Sequence, residues 1–393
     1  LNLDKFICAG EITPNMLICT HCGRKYPAEF LRCPICNEPL QLPYFEGKIK
    51  KGNKVWKRFA DFYPFTLLPK NSLGEGDTPL LYLPKLSQQL KINIYAKNET
   101  QNPTWSFKDR GTFVAMQYVL NISRRVGTVS TGNMGASVAA YAAHLGVKSY
   151  ILVSKEIPEE KLAPIGIYGS EILRVMGDYG ELYYKSIEVG KEKGIYFINS
   201  DNPFRVEGYK SIAYELAEKI DGDYVIIPTS SGGLFRGIHK GYVELKRSDL
   251  IEDIPELICA QAAGCSPIYN AFSQGKERIE RVEHPNTIAH AIRNPYPPSG
   301  NAVLRILKEG NHCEIAEDHE ILEAQKELAK DGLFVQPASA VSLAVVKKLV
   351  AQEKIEKGSK VILVLTGAGL KYILPIRINI RDCSINDLSR CFE

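Results

Sequence analysis

Residues 224–233 read Tyr224-Val-Ile-Ile-Pro-Thr-Ser-Ser-Gly-Gly233, an apolar run followed at once by hydroxyl-bearing residues and glycines. The run has no alternation of polar and apolar side chains, which is typical of a strand buried on both faces of a mainly parallel sheet. The amphipathic segment 234–246 comes next and predicts a helix. A buried strand, a glycine loop and a helix in this order indicate an α/β fold of stacked layers.

The same pattern recurs along the chain from about residue 92. Short apolar or β-branched runs predict strands, and the longer amphipathic or alanine-rich stretches between them predict helices. The predicted strands are Ile92–Ala96, Gly127–Ser130, Ser149–Val153, Glu171–Val175, Ile195–Ile198, Tyr224–Pro228, Leu257–Gln261 and Val361–Leu365. The predicted helices include 135–146, 208–219, 234–246, 318–331 and 339–350.

Composition and charge narrow the class of protein. The 393 residues are 45% hydrophobic and 24% charged, which indicates a globular chain of two or three domains and excludes disorder and collagen-like structure. The net charge of +4 is spread along the chain, so we expect no nucleic-acid partner. No apolar run approaches the roughly 20 residues that span a bilayer, and the N-terminus lacks signal-peptide features. We therefore expect a cytoplasmic protein with no membrane partner.

Two cysteine pairs near the N-terminus have the spacing of a metal site. Cys19-Thr-His-Cys22 and Cys33-Pro-Ile-Cys36 are separated by ten residues. A pair on a tight turn supplies two sulfurs at about 2.3 Å from the metal, and two such pairs complete a tetrahedral zinc site. We predict a zinc-ribbon-like module with a structural role; the alternatives are a ribbon that binds nucleic acid and four metal-free thiols. The scattered cysteines elsewhere are poor material for a disulfide framework.

Glycine-bearing loops follow three predicted strands, where open parallel sheets bind ligands. Ser130-Thr-Gly-Asn-Met-Gly135 opens an alanine-rich helix, whose free N–H groups suit a carboxylate or phosphate. Thr229-Ser-Ser-Gly-Gly233 suits a phosphate, although it lacks the Gly-Lys-Ser/Thr ending of a P-loop. In Leu365-Thr-Gly-Ala-Gly-Leu370, a threonine hydroxyl can bond a neutral heteroaromatic nitrogen. Ordinary turn chemistry is the alternative for each loop. A further loop carries Arg205, whose planar fork suits an anion or a structural salt bridge.

A lysine opens another predicted helix within Asn102-Pro-Thr-Trp-Ser-Phe-Lys-Asp-Arg-Gly111. Ser106 and Asp109 have the spacing of a capping box, so we predict a helix over residues 107–119. Lys108 then lies in the first turn, where the helix dipole disfavours an ammonium. It is a candidate Schiff-base nucleophile, and an ordinary solvated lysine is the alternative.

Taken in chain order, these motifs resemble the threonine synthase branch of the fold-type II pyridoxal-phosphate enzymes. The resemblance covers nearly the whole chain. It rests also on Gly74-Glu-Gly-Asp-Thr-Pro79, Gln336-Pro-Ala-Ser-Ala340 and Thr366-Gly-Ala-Gly-Leu-Lys371. It implies an α/β fold with two three-layer domains, like that of the tryptophan synthase β chain, together with the zinc-ribbon-like module. It also implies a homodimer.

The resemblance further implies how the chain is divided. Residues 1–45 would form the zinc-ribbon-like module, and residues 46–107 would form an arm and the first part of the large domain. Residues 108–200 would form the smaller α/β domain with the Asn133 loop. Residues 201–393 would form the large α/β domain with the phosphate loop.

Site residues carried over by the resemblance fall into two groups. For the cofactor pyridoxal 5'-phosphate, Lys108 would hold it covalently, Asn133 would contact its ring oxygen and Thr366 would face its pyridine nitrogen. The loop around its phosphate would consist of Thr229, Ser230, Ser231, Gly232, Gly233 and Leu234. The loop around the substrate α-carboxylate would contain Ser130, Thr131, Gly132 and Met134, and Ser106 would be a further substrate contact. Ser200 and Arg205 would hold the phosphate that leaves the substrate.

The activity implied by the resemblance is conversion of O-phospho-L-homoserine and water to L-threonine and phosphate, by γ-elimination and β-addition. Three residues depart from the family pattern, because Trp105 replaces a glycine, Met134 a threonine and Ser231 an asparagine. They leave open a pyridoxal-phosphate-dependent β-replacement or β-elimination on O-phosphoserine, serine or threonine. A non-catalytic relative is a third alternative, which Lys108 and the intact phosphate loop disfavour.

Overall fold

The computed structural model describes residues 16–130, 132–155, 162–176 and 179–371. Its strands are β1 (Met16–Cys19), β2 (Lys25–Pro27), β3 (Leu40–Gln41), β4 (Leu80–Tyr82), β5 (Asn93–Asn98), β6 (Arg125–Val129), β7 (Lys148–Ser154), β8 (Glu171–Val175), β9 (Tyr196–Phe197), β10 (Tyr224–Pro228), β11 (Glu256–Ala262), β12 (His312–Ala316) and β13 (Lys360–Leu365). Its helices are α1 (Val55–Arg58), α2 (Pro84–Leu90), α3 (Lys108–Val119), α4 (Asn133–His144), α5 (Ala163–Gly166), α6 (Tyr179–Lys193), α7 (Pro203–Tyr209), α8 (Ser211–Ala217), α9 (Gly233–Arg247), α10 (Pro267–Ser273), α11 (Gly300–Leu307), α12 (Asp318–Lys330) and α13 (Pro337–Ala351). Within the described ranges, no helix has both the length and the apolar character required to cross a membrane.

The strands form three sheets. The largest has the order β12-β11-β10-β13-β5-β4, in which all neighbours are parallel except the antiparallel edge strand β4. A second sheet, β8-β7-β6-β9, is parallel throughout. The N-terminal sheet, β2-β1-β3, is small and antiparallel. The α/β prediction is confirmed.

Strand β10 shows why the large sheet lies between two layers of helices. Successive side chains of a strand point to opposite faces. Val225 and Ile227 lie in one hydrophobic cluster, which includes Phe235 of α9. Ile226 lies in a second cluster, which includes Val341 of α13. Because both faces are buried, the strand has no polar positions, and this is the pattern visible in the sequence.

Every predicted strand has a counterpart that begins and ends within two residues of the prediction. Five strands were not predicted. Three of them, β1, β2 and β3, form the small N-terminal sheet. In the larger sheets, β4 is short, and His312 and Glu314 interrupt the apolar run of β12. The predicted helix 208–219 is instead two helices, α7 and α8. The first of them begins earlier because Asn202 caps it by accepting a hydrogen bond from the Phe204 N–H at 3.0 Å.

Candidate active site

The segment before Lys108 runs along the loop that follows β13. The Phe107 N–H donates to the Thr366 carbonyl at 3.1 Å, and Ser106 pairs with Gly367 in an isolated antiparallel bridge. The carboxyl ends of parallel strands meet at one edge of a sheet, where such sheets bind ligands. Backbone contacts between two distant segments therefore hold Lys108 at this edge.

Helix α3 begins at Lys108, within one residue of the prediction, but the predicted capping box is wrong. The Asp109 carboxylate accepts hydrogen bonds from the Thr104 N–H at 2.6 Å and from the Thr104 hydroxyl at 2.7 Å. The N-cap residue is Phe107, without a side-chain bond. Thr104 offers this carboxylate two donors where a capping box offers one. Ser106 Oγ is left buried and without a hydrogen-bond partner among the described residues.

The Lys108 amine lies against aromatic rings. Its Nζ is 4.4 Å from the ring centroid of Phe107 and 6.0 Å from that of Tyr209. In the described part of the chain we find no hydrogen bond or ion pair to Nζ. Burial, and secondly the positive charge of Arg205, lower the pKa of Lys108 to about 7. A large share of the amine is therefore neutral near pH 7, which is the form that attacks a carbonyl.

Arg205 lies fully buried against the first turn of α3. Its Nη1 donates to Thr112 Oγ1 at 2.9 Å, its Nη2 to the Lys108 carbonyl at 3.2 Å, and its Nε to the Tyr209 hydroxyl at 2.9 Å. Arginine carries five N–H donors, so each Nη atom keeps one N–H that no described residue uses. None of the described residues places a carboxylate against this guanidinium. A structural salt bridge, the alternative role for Arg205, therefore does not explain why this arginine is buried.

Arg110, two residues after Lys108, is in the opposite situation. It donates to Glu99 at 2.6 and 2.8 Å and also binds Glu215. Further bonds go to Ser211 at 2.9 Å and Thr78 at 3.2 Å. Although burial opposes the charge, the two carboxylates raise the pKa of Arg110 above its ordinary value. Arg110 anchors the segment to the body of the protein.

The predicted phosphate loop lies between β10 and α9. Gly232 has φ +91°, and a Cβ there would be 2.9 Å from the Ser299 Cβ, so this turn requires glycine. The Ser231 carbonyl accepts from the Ser299 N–H at 3.0 Å. The first intrahelical bond runs from Arg236 N–H to the Gly232 carbonyl at 3.0 Å, so the N–H groups of Gly233 and Leu234 precede it and suit an anion.

Other residues of this loop are placed in keeping with an anion site. The Thr229 hydroxyl donates to the Ile227 carbonyl at 2.7 Å, which stabilises the turn. Ser230 is half-buried, with no hydroxyl partner among the described residues. A Cβ at Gly233 would be 2.5 Å from the Ser200 carbonyl. The structure therefore brings Ser200 and the phosphate loop into direct contact.

Asn133 stands at the start of α4, facing residues that the sequence analysis did not assign. Its Nδ2 donates to Gln336 Oε1 at 3.1 Å, and its Oδ1 accepts from Lys371 Nζ at 3.2 Å. A Cβ at Gly367 would lie 3.0 Å from Asn133 Nδ2. Both new residues belong to motifs on which the family resemblance rests, and this was the available signal. Asn133 thus meets the loop that follows β13.

The Thr366 hydroxyl pairs with the hydroxyl of Ser339, which the sequence analysis also missed. The two oxygens are 2.9 Å apart, and Ser339 Oγ also accepts from the Gly367 N–H at 2.9 Å. Both side chains are buried. Neutral hydroxyls can bond a ring nitrogen without protonating it, as predicted for Thr366.

The loop before α4 contains the remaining predicted substrate contacts. The Gly132 N–H donates to Ser130 Oγ at 3.3 Å. Met134 is buried. Thr131 lies outside the described residues.

The residues present fit pyridoxal phosphate. The group needs an amine for its aldehyde, donors for its phosphate, and polar partners for its ring oxygen and nitrogen. Among the described residues, the Lys108 amine has no hydrogen-bond partner, and the start of α9 supplies free N–H groups. Ser106 Oγ, two residues before Lys108, is buried and has no hydrogen-bond partner among the described residues. An unpaired buried polar group costs about 1–3 kcal/mol, which a bound ligand would recover.

The four cysteines of the N-terminal module converge. Their sulfurs all lie within 4.8 Å of one another. Three of the separations are 3.4 Å (Cys19 to Cys36), 3.8 Å (Cys22 to Cys33) and 4.0 Å (Cys22 to Cys36). Sulfurs at about 2.3 Å from a tetrahedral zinc would be about 3.8 Å apart. The cluster therefore fits zinc, and His21 is exposed and does not belong to it.

Comparisons with known proteins identify the family of this chain. The family model described as "Pyridoxal-phosphate dependent enzyme" matches residues 71–367. The threonine synthase of Methanocaldococcus jannaschii is 37% identical, over 95% of this chain and 98% of its own. That of Methanosarcina acetivorans is 33% identical, over 90% and 92%. The processed threonine deaminase isoform 2 of Solanum lycopersicum shares the fold, with a TM-score of 0.66 at 18% identity, over 92% and 98%. The chain therefore belongs to the pyridoxal-phosphate-dependent enzyme family, in the branch of the threonine synthases.

Proposed function

We propose that the protein converts O-phospho-L-homoserine and water to L-threonine and phosphate, with pyridoxal phosphate as cofactor. One observation carries the proposal: the unpaired amine of Lys108 lies beside the buried guanidinium of Arg205, which has no carboxylate partner among the described residues. An amine and an unpaired cation together suit a substrate that carries both an amino acid and a phosphate. Threonine synthases among the relatives support the same reaction.

Cofactor contacts in this proposal involve four regions of the chain. Lys108 would hold the aldehyde carbon, residues 229–234 the phosphate, and Asn133 and Thr366 the ring. When bound, pyridoxal phosphate supplies an electron sink for negative charge at the substrate Cα. The neutral hydroxyl pair of Thr366 and Ser339 would leave the ring nitrogen unprotonated, which moderates that sink.

Two of the proposed substrate contacts, the Ser106 hydroxyl and the spare N–H groups of Arg205, have no partner among the described residues. Ser106, together with the loop of Ser130, Thr131, Gly132 and Met134, would bind the α-carboxylate. The spare N–H groups of Arg205 and the hydroxyl of Ser200 would bind the leaving phosphate. Released from the cofactor, the Lys108 amine would take the proton from Cα and return it later, as a general base and then acid.

Turnover of defined substrates tests the proposal. We expect phosphate and threonine in equal amounts from O-phosphohomoserine. Arg205→Met should lower kcat/KM for this substrate by about 100-fold, because a charge-assisted contact to phosphate is lost. Serine and threonine serve as control substrates, because they lack the phosphate that Arg205 would contact. Turnover of O-phosphoserine, serine or threonine without turnover of O-phosphohomoserine would refute the proposal in favour of the β-elimination or β-replacement alternative.

We also propose that Cys19, Cys22, Cys33 and Cys36 bind one structural zinc. The sulfur separations support this site. Metal analysis of purified protein should find one zinc per chain, and Cys22→Ser should reduce it. A metal-free protein with an intact N-terminal module would contradict the proposal.

The organisation of the protein is proposed on similar grounds. We propose the divisions 1–45, 46–107, 108–200 and 201–393, which the distribution of strands among the three sheets supports. A metal-thiolate site and free cysteines suit a reducing compartment, so we propose a cytoplasmic location. A homodimer is proposed from the family resemblance, and light scattering in solution tests it.

A further inference from the structure

The side chain of Arg32 connects the N-terminal module to the body of the protein. Arg32 directly precedes Cys33, and its side chain is 10% exposed. Its Nη1 binds Asp201 Oδ2 at 2.5 Å, and its Nη2 donates to the Pro298 carbonyl at 3.0 Å. Its Nε donates to the carbonyl of Asn37, the residue after Cys36, at 3.0 Å. One guanidinium therefore joins the module to two separate segments.

The first of these segments contains the proposed leaving-phosphate contacts. Asp201 follows Ser200 and is buried, and its other carboxylate oxygen accepts from the Tyr183 hydroxyl. The next residue, Asn202, caps α7, and its carbonyl accepts from the Arg205 N–H at 3.0 Å. Asp201 lies between Ser200 and the start of this helix. Its position therefore determines the positions of Ser200 and Arg205, the two proposed contacts of the leaving phosphate.

The second segment supports the loop for the cofactor phosphate. Ser299 follows Pro298 and donates to the Ser231 carbonyl at 3.0 Å. The buried Arg236 of α9 donates to Ser299 Oγ at 3.0 Å and reaches the Leu40 carbonyl of the N-terminal module at 3.4 Å. The module thus contacts the supports of both proposed anion sites.

We propose that Arg32 is a positioning residue for the reaction, which fixes the spacing between the loop at Ser200 and the loop at Ser231. The N-terminal module then acts as a clamp across the two phosphate sites. Asp201 has no second cationic partner at hydrogen-bond distance among the described residues, so the loop depends on Arg32 for its charge balance. This inference rests on the proposed function, because it concerns the substrate phosphate.

Arg32→Lys tests the clamp, since lysine keeps the charge and loses the fork that reaches two segments. The matched control is Arg305→Lys. Arg305 also joins the module to the body, through Glu38 at 3.0 Å and Thr20 at 3.3 Å, but it does not touch Asp201 or Pro298. Both variants are assayed as the full chain with cofactor bound.

We expect Arg32→Lys to raise KM for O-phosphohomoserine by about tenfold or more, as for a displaced binding group, with kcat changed by less than about threefold. Arg305→Lys should leave KM within about twofold of the wild type. Asp201→Asn should reproduce the defect, and the double variant should be no worse than either single one, because the two residues act as a pair. A wild-type KM in Arg32→Lys, or an equal rise in both arginine variants, overturns the proposal.

Hydrogen exchange provides a readout that does not depend on turnover. In Arg32→Lys, amides of residues 199–205 and 229–234 should exchange faster, whereas Arg305→Lys should leave them unchanged. If O-phosphohomoserine is not a substrate but this exchange pattern is found, the proposed function fails and the clamp stands. Unchanged exchange in Arg32→Lys overturns the clamp, whichever substrate the enzyme uses.

Discussion

Lys108 and Arg110 lie two residues apart in the first turn of one helix, and the structure treats their charges in opposite ways. Every terminal nitrogen of Arg110 binds a carboxylate. Among the described residues, Lys108 Nζ has aromatic neighbours and the positive charge of Arg205, but no hydrogen-bond or ion-pair partner. Removal of one partner from a fully paired buried charge is strongly destabilising, because the other charge is left without compensation. A buried amine without a partner loses its proton easily and is available to a ligand. The presence of paired carboxylates thus distinguishes Arg110, which has a structural role in this turn, from Lys108, which is the reactive residue.

Removing the unpaired amine should have the largest effect on activity. In Lys108→Ala we expect kcat to fall by at least about 1,000-fold, because general acid–base and nucleophilic roles are both lost. The free energy of unfolding should change little, since no hydrogen bond or ion pair is broken within the described structure. Steady-state assays and chemical denaturation measure the two quantities. A large loss of stability with activity retained would mean that Lys108 has a structural role and is not the reactive residue.

Removing the paired cation should have the opposite profile. Arg110→Met should lower the free energy of unfolding by about 3–5 kcal/mol, because Glu99 and Glu215 are left buried with less compensation. Urea denaturation measures the change. The matched control is Arg124→Met, at an exposed position, which should stay within about 0.5 kcal/mol of the wild type. Equal effects at the two positions would show that burial of the ion pairs is unimportant.

The pH dependence of cofactor binding should follow the lowered pKa of Lys108. The amine is protonated below a pH of about 7 and neutral above it. Only the neutral amine attacks the aldehyde, so the rate of cofactor incorporation into apoprotein should fall by about tenfold per pH unit below 7 and level off above it. An amine with an ordinary pKa of about 10.4 would instead give a rate that rises beyond pH 9. Stopped-flow absorbance measures these rates.

Arg205 offers a control on this profile. Its positive charge is the second cause of the lowered pKa of Lys108. Arg205→Met should therefore move the midpoint to higher pH. A midpoint that stays in place would mean that burial alone sets the pKa.

The smallest effect should come from Trp105, which precedes the bridge to Gly367. Its φ is +61°, a conformation that costs a non-glycine residue roughly 1–2 kcal/mol, and its side chain is 51% exposed. Lys371 Nζ lies 5.9 Å from the Trp105 ring centroid, and this cation–π contact offsets only part of the cost. The free energy of unfolding of Trp105→Gly should exceed that of Trp105→Ala by about 1 kcal/mol. Thermal or chemical denaturation of the two variants measures this difference. Equal stabilities would mean that the backbone is unstrained.

The sequence predicted those features that arise from neighbouring residues. Strands buried on both faces have continuous apolar runs, and the loops after them carry their own glycines and hydroxyls, so β10 and the loop at Gly232 could be recognised. The partners of Arg110 could not be predicted, because Glu215 lies 105 residues away and many other carboxylates were equally available. The same holds for Arg32 with Asp201, which are 169 residues apart. Ser339 lies in the motif Gln336-Pro-Ala-Ser-Ala340, but its contact with Thr366 was missed because the motif does not indicate which residue the serine meets.

Mapping of the cofactor attachment site shows whether Lys108, the buried amine without a described partner, is the residue that holds the cofactor. Borohydride reduction of the protein with bound pyridoxal phosphate, followed by peptide mass spectrometry, identifies the modified lysine. Lys371 is the internal rival, because it lies in the same site and burial lowers its pKa to about 8, but it binds the Thr104 carbonyl and Asn133. We expect a single pyridoxyl group on Lys108 and none on Lys371. Modification of Lys371, or of several lysines alike, would contradict it.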